Sequence, residues 1–505
     1  MQLTRASGIL CHITSLPSRW GIGGLGPEVR WMIEFLRETG QRVWQFLPLG
    51  PVGGDWSPFQ CSSSFAGNPL LLSPEVLADD GLLRESHWES YPHLPEDRVD
   101  FEAVAAAKER LCRAAFERFR SQRSWGEPFS AFLERASEWL PDFSLFMAIR
   151  RAQDGACWWR WPRELAERRP GAIEAAREQL SDEVLFQQFL QFSFDKQWVA
   201  ACAMIKEGGI TTIGDLPFYC AHDSADVWAH QDLFQLDEHG ESLFKSGVPP
   251  DLFQEDGQLW GDPVYAWDAH AREQYSWLTS RMQSALDRVD VLRLDHFRAF
   301  QAYWAIPGDS PTAKRGRWAT GPGIAFFDAL RRKRDCLPLI AEDLGVITPD
   351  VDMLRSQLGL PGMQVLQFGF GADEHASRHL PHSFPANSVV YTGTHDNDTA
   401  RGWFENTRPD TTQSEEVIRK ERDHAMRYLD ATDAADIHWK LIRAALSSVA
   451  SLAVIPMQDV LGLGTEARMN LPGTANGHWR WRFTQDAVTP AIRHRLAELA
   501  KLYER

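Results

Sequence analysis

The chain has 505 residues, 44% hydrophobic and 24% charged, with a formal net charge of −16. It is long enough for a large core or several domains and too acidic for nucleic acid or an anionic membrane to be its main partner. No run approaches the roughly 18 apolar residues of a membrane span, and the opening "MQLTRASGILCHITSLPS" has one basic residue and too short an apolar stretch for a signal peptide.

Taken in chain order, eight segments share one design: apolar or β-branched residues, then an abrupt polar cluster. They are "GILCHITSLPS" (8–18), "RVWQFLPLGP" (42–51), "TTIGDLPFY" (211–219), "DVLRLDHFR" (290–298), "LPLIAEDLG" (337–345), "MQVLQFGF" (363–370), "SVVYTGTHDN" (388–397) and "SLAVIPMQD" (451–459). Each reads as a buried parallel strand, continuously apolar rather than alternating. Helical stretches separate most of them. "PEVRWMIEFLRETG" follows the first and stops at Gly40. "TPDVDMLRSQLG" follows the fifth, with Thr348 as N-cap and Pro349 at the first helical position. Eight strand–helix units predict an α/β fold, a closed (β/α)₈ TIM barrel, with residues 1–505 forming one catalytic barrel. The long interval between the second and third strands carries helical periodicity, as in "FEAVAAAKERLCRAAFERFRS" (101–121). It predicts a helical inserted subdomain at about 70–205. A second insertion, about 218–275, shows little regular pattern and reads as a loop region over the active site.

In such a barrel the C-terminal ends of the strands form the active face. Four carboxylates fall there: Asp215 after the third strand, Asp295 after the fourth, Glu342 after the fifth and Asp396 after the seventh. Arg293 precedes Asp295 by two residues, so both side chains share one side of the strand and the guanidinium favours the ionised carboxylate. Glu342 follows the apolar "PLIA", which suits a carboxyl with a raised pKa. Two carboxylates in unlike environments are what glycosidic chemistry requires, one ionised as nucleophile and one protonated as acid. Asp396 is then available to ring hydroxyls, and His296 and His395 flank two of the acids. Acidic residues at strand ends also cap helices, and Asp343 is a candidate for that. The 21 tryptophans exceed ordinary core needs and offer flat faces to sugars. The seven cysteines are scattered, with no CxxC pair, which predicts reduced thiols, a cytoplasmic location and no zinc site. No P-loop or EF-hand loop is present, and the glycines of "GIGGLG" (21–26) do not open directly from a strand. No cofactor and no metal are expected, and a monomer is the default.

"RLDHFR", "AEDLG" and "TGTHDNDT" resemble the catalytic regions of the α-amylase superfamily, in its order. "ITSLPSRWGIGGLG" (13–26), "SPFQCSSSFAGNP" (57–69), "GDLPFY" (214–219), "GVPPDLFQEDGQLWGDPVYAWD" (247–268), "AYWAIP" (302–307) and "EARMNLPG" (466–473) resemble the 4-α-glucanotransferases more narrowly. These are the amylomaltases or disproportionating enzymes of glycoside hydrolase family 77. The resemblance implies retaining transfer between α-1,4-glucans and maltooligosaccharides, with no nucleic-acid or membrane partner. By motif position, Asp295 resembles the nucleophile, Glu342 the general acid/base and Asp396 the transition-state stabiliser. Arg293, His296 and His395 resemble residues that orient the nucleophile or bind glucose hydroxyls. Asp215 matches the acid of the first conserved region. Trp260 resembles a loop aromatic that stacks on the glucan, Asn470 a loop residue near the bound chain, and Ser57 and Phe59 belong to the substrate-binding motif. Two departures stand out: Phe59 where tyrosine is common, and Asp262 where asparagine is frequent. The loops at 218–275 and 460–475 are the expected providers of acceptor subsites, which favour transfer over water attack. A mainly hydrolytic α-glucanase and a non-catalytic glucan-binding barrel remain the alternatives.

Overall fold

The computed structural model describes residues 3–122, 125–250, 255–371, 375–405, 414–474 and 477–505. Residues 251–254, within the motif at 247–268, and residue 475 lie outside the described residues. Strands are numbered in chain order. Eight form one sheet: β1 (Ala6–Leu10), β2 (Val43–Gln45), β3 (Thr211–Leu216), β6 (Val291–Leu294), β9 (Leu339–Ala341), β10 (Gly362–Val365), β11 (Ser388–Tyr391) and β12 (Leu452–Pro456). Each lies within one of the eight apolar segments or overlaps it. Apart from Thr211, every residue in them is buried, which explains the continuous apolar composition.

The order is β10-β11-β12-β1-β2-β3-β6-β9, all parallel, with β1 pairing β12 on one side and β2 on the other. The ring is completed between β9 and β10 without a regular ladder. The Ala341 N–H donates to the Pro361 carbonyl at 2.9 Å, and the Met363 N–H donates to Asp343 Oδ1 at 2.7 Å. Asp343 is therefore not a helix cap. It is a buried side-chain bridge across the barrel seam, paired also with Arg355 at 3.2 Å.

Helix signals act as read. One helix runs Pro27–Glu38 with proline in its first turn, and Gly40 beyond its end has φ +70°. Another runs Pro349–Leu358 after Thr348, whose side chain makes no capping bond there, and stops at Gly359 with φ +68°. The glycines of 21–26 serve close packing. A Cβ at Gly23 would lie 1.9 Å from the Ile13 carbonyl oxygen.

Between β2 and β3 the described chain is mainly helical. Its last helix, Ser181–Glu207, leads straight toward β3 and buries Phe186, Phe189, Phe192 and Phe194. Two buried glutamines on it clamp the segment after β2. Gln191 exchanges hydrogen bonds with the Gly67 backbone at 2.7 and 2.9 Å, and Gln197 does so with Ser73 at 2.8 and 3.3 Å.

The interval 218–275 departs from expectation. It contains β4 (Phe244–Val248) and β5 (Gln258–Pro263), which join β7 (Ala302–Pro307) and β8 (Arg317–Thr320) in an antiparallel sheet of order β5-β4-β7-β8. Their composition hid them. "FKSGV" and "QLWGDP" mix glycine, proline, lysine and aspartate, residues poor in strands, and a register shift falls between Lys245 and Gly247. Part of the tryptophan surplus is structural, since Trp20, Trp44, Trp158 and Trp228 are fully buried.

Candidate active site

The site lies where β3, β6, β9 and β11 leave the core. Arg293, near the end of β6, is buried with its side chain 4% exposed. Its Nη1 donates to both oxygens of Asp215 at 2.8 and 2.7 Å and lies 3.0 Å from Asp295 Oδ1. The Asp215 side chain is completely buried. Asp215 and Arg293 thus form the floor beneath the cleft rather than its surface. Burial lowers the pKa of Arg293, but the charges of Asp215, Asp295 and Glu342 together raise it above its ordinary value and hold it protonated.

The chain turns sharply after Asp295. His296 has left-handed backbone angles, φ 50° and ψ 45°, an uncommon conformation for a non-glycine residue. The turn aims the His296 N–H at Glu342 Oε2, 2.8 Å away, while Glu342 Oε1 accepts the Leu344 N–H at 2.9 Å. The residue after one carboxylate therefore anchors the other. Burial pushes both carboxyls above the ordinary carboxylate range. The Arg293 guanidinium opposes this on each, and the charges of Asp215, Glu342 and Asp396 add to the rise at Asp295. Two such carboxyls titrate as a coupled pair. The direct contact with Arg293 favours the charge on Asp295 and the proton on Glu342.

His296 is buried, its Nε2 has no hydrogen-bond partner, and burial pushes its pKa down to about 3. It is a neutral imidazole with one unused polar atom. Across the site, His395 Nε2 lies 3.3 Å from Asp396 Oδ2, and burial also pulls the His395 pKa down. Asp396 is the most open carboxylate of the set, with its side chain 42% exposed. Asn470 Nδ2 donates to Asp396 Oδ1 at 2.7 Å, and Arg468 donates to the Asp396 carbonyl at 2.8 Å. Asn470 thus acts on a carboxylate, a contact that its position in a loop motif did not reveal.

Aromatic rings wall the cleft. Phe59 stacks on His395 at 4.9 Å and 18°, and Trp479 leans on both. Trp260 meets the His296 ring edge-on at 4.8 Å. It sits on strand β5, not in a loop, and the glycine beside it (Gly261, φ +93°) is what gives the segment its loop-like composition. Ser57 is buried, and its Oγ accepts the Phe59 N–H at 3.2 Å, building the turn that presents Phe59. Trp479 and the buried Arg281 carry no signal in the sequence. Arg281 donates to the carbonyls of Pro217, Phe218 and Tyr219 and to Tyr265 and Ser64, fixing the segment after β3. Each is a single residue whose partners lie far away in the chain, so no local pattern exposes it.

The parallel barrel agrees with the comparisons. Residues 11–487 match the family model described as 4-alpha-glucanotransferase. The chain belongs to the 4-alpha-glucanotransferase family. It is 45% identical to the 4-alpha-glucanotransferase of Synechocystis sp., over 99% of this chain and 98% of that one. It is 44% identical to that of Thermus thermophilus over the whole of both chains. Among solved structures, the amylomaltase of Streptococcus agalactiae in complex with acarbose superimposes with a TM-score of 0.94, at 34% identity and 99% coverage of each chain. A glucan-transferring enzyme of this family is a (β/α)₈ barrel, as seen here. No helix among the described residues is long and apolar enough to cross a membrane.

Proposed function

We propose that this 4-alpha-glucanotransferase family member moves α-1,4-glucan segments from a donor maltooligosaccharide to the 4-OH of an acceptor glucan or glucose, by two displacements at one anomeric carbon. Asp295 attacks that carbon while Glu342 gives its proton to the departing glycosidic oxygen. The bond to the leaving glucan breaks and an ester to Asp295 forms. Glu342, now a carboxylate, takes the proton of the acceptor hydroxyl as that oxygen displaces Asp295 and restores the original configuration. Asp396, oriented by His395 and Asn470, binds ring hydroxyls and favours the oxocarbenium-like transition state. His296 orients the acid/base through its backbone N–H to Glu342. Arg293 and Asp215 act from below by holding Asp295 in charge and position. Phe59 and Trp260 stack on the glucan.

The observation that carries this reading is the bonded unit itself. One guanidinium joins Asp215 and Asp295, and the next residue's N–H holds Glu342. The test uses an activated donor, α-glucosyl fluoride, whose leaving group needs no acid. In a Glu342→Gln variant the first displacement proceeds and the second stalls for want of a base. The protein then gains the mass of one anhydroglucose on the peptide containing Asp295, and Asp295→Asn gains none. An adduct on another residue would overturn the assignment.

The helices at about 70–205 and the region 218–275 are read as parts of the catalytic unit that shape the cleft. The protein is read as a cytoplasmic monomer that needs no cofactor, a reading supported by seven unpaired cysteines, as in a reducing compartment. Light scattering should give one chain mass, 57.4 kDa, and dialysis against EDTA should leave activity unchanged.

A further inference from the structure

A general acid stands on the side of the departing oxygen, so the glucan beyond the cleaved bond runs past Glu342. The chain that follows Glu342 borders that side. Its Leu344 N–H is bonded to the carboxyl, and two residues further on Val346 is exposed. The Val346 carbonyl accepts from Arg298 Nη1. Arg298 Nε donates to the Ala302 carbonyl at 3.4 Å, where β7 begins. Arg298 therefore ties the segment after β6 to the loop after β9. Its charge acts on both His296 and Glu342, so it lies near both.

The guanidinium of Arg298 stacks on Trp318 of β8, its Cζ 3.8 Å from the ring centroid. Trp318 opposes Trp304 across the β7–β8 ladder, and the two rings meet edge to face at 5.2 Å. Trp304 is itself fixed. Its Nε1 donates to the Ala313 carbonyl at 2.9 Å, and a Cβ at Gly316 would lie 2.1 Å from that nitrogen. Trp318 is thus held from two sides. It is nevertheless 42% exposed, the one phenylalanine, tyrosine or tryptophan left exposed among the described residues. Among those residues its indole N–H has no protein acceptor. A single exposed ring is far short of the about 1,000 Å² that a stable protein interface buries. A rigid indole with an unused donor instead matches a pyranose, which offers an apolar C–H face and a rim of hydroxyls.

We propose that Trp318, backed by Arg298, is an acceptor-side glucan subsite beyond the first, on which a sugar of the acceptor chain stacks while the chain's non-reducing end reaches the anomeric carbon. The inference rests on the transfer reaction proposed above. The subsite gives chains of several glucoses an advantage over glucose as acceptors, since a single glucose cannot occupy the reacting position and the ring at once.

The measurement uses α-glucosyl fluoride as donor, with glucose or maltopentaose as acceptor and products resolved by chain length. The quantity read is kcat/KM for maltopentaose divided by kcat/KM for glucose. The wild type should favour maltopentaose, and Trp318→Ala should lower the ratio about five- to twentyfold, mainly through a higher KM for the longer acceptor. Trp318→Phe, which keeps an apolar face, should retain most of the ratio. If Trp318 only supports Arg298, its loss slows both acceptors alike and the ratio stays at the wild-type value. That result, or a wild type with no preference for maltopentaose, overturns the subsite. A wild type that transfers to neither acceptor overturns the proposed reaction, and the subsite with it.

Discussion

Glu342 is held by two backbone donors and half-buried near a second carboxyl, so its function and its titration are one question. Glu342→Gln should lower kcat on maltotriose by about 10²–10⁴, the range of a lost general acid/base, with glucan affinity little changed. For the wild type, kcat/KM should fall on the alkaline side as Glu342 gives up its proton. It should also fall on the acid side as a second proton reaches Asp295. The positions of these carboxylates were legible because each follows a strand-like run and their order is distinctive. What could not be read was how Arg293 is divided. The sequence pairs it with Asp295, whereas Asp215, 78 residues away in the chain, accepts the two shorter bonds. Asp262 gives a stability test with a definite sign. Its folded pKa of about 7 stands above the unfolded value of about 3.9, so folding binds the proton. That contribution is complete below about pH 4 and is lost as pH rises to about 7. Asp262→Asn should therefore be more stable than wild type at pH 8, by up to about 4 kcal/mol, because each tenfold change in proton affinity is worth roughly 1.4 kcal/mol. The gap should close as pH falls toward 4, measured by urea unfolding at each pH.

At the scale of elements, the seam between β9 and β10 is the barrel's weakest join and lies beside Glu342. Asp343 substitutes there for a ladder, taking the Met363 N–H and pairing with Arg355. Asp343→Ala leaves the buried Met363 N–H without an acceptor and takes from Arg355 its buried counter-charge, leaving it the more exposed Asp352 at 3.5 Å. It should cost about 2–4 kcal/mol in urea unfolding and speed hydrogen exchange at the Met363 amide. The barrel strands were legible because burial on both faces forces continuous apolar runs. The four strands of the small sheet were not, because β4, β5 and β8 mix polar residues into short runs and β4 finds β7 only after the chain has passed through β6. Trp260 was misplaced for the same reason, since glycine beside an aromatic reads as a loop until its strand partner is known.

Over the whole molecule, the ring of strands and the small sheet bring together residues from 57 to 479, while Gln191 and Gln197 fasten the last helix of the interval to the segment after β2. Fold class followed from eight repeated units, whereas the ratio of transfer to hydrolysis has no local signature, because it depends on how the assembled cleft holds an acceptor against water. Incubation with maltotriose, with products resolved by chain length over time, tests the central claim most directly. A 4-alpha-glucanotransferase of this design should build a ladder of longer maltooligosaccharides together with glucose. Glucose and maltose without longer products would contradict it and mark water as the acceptor.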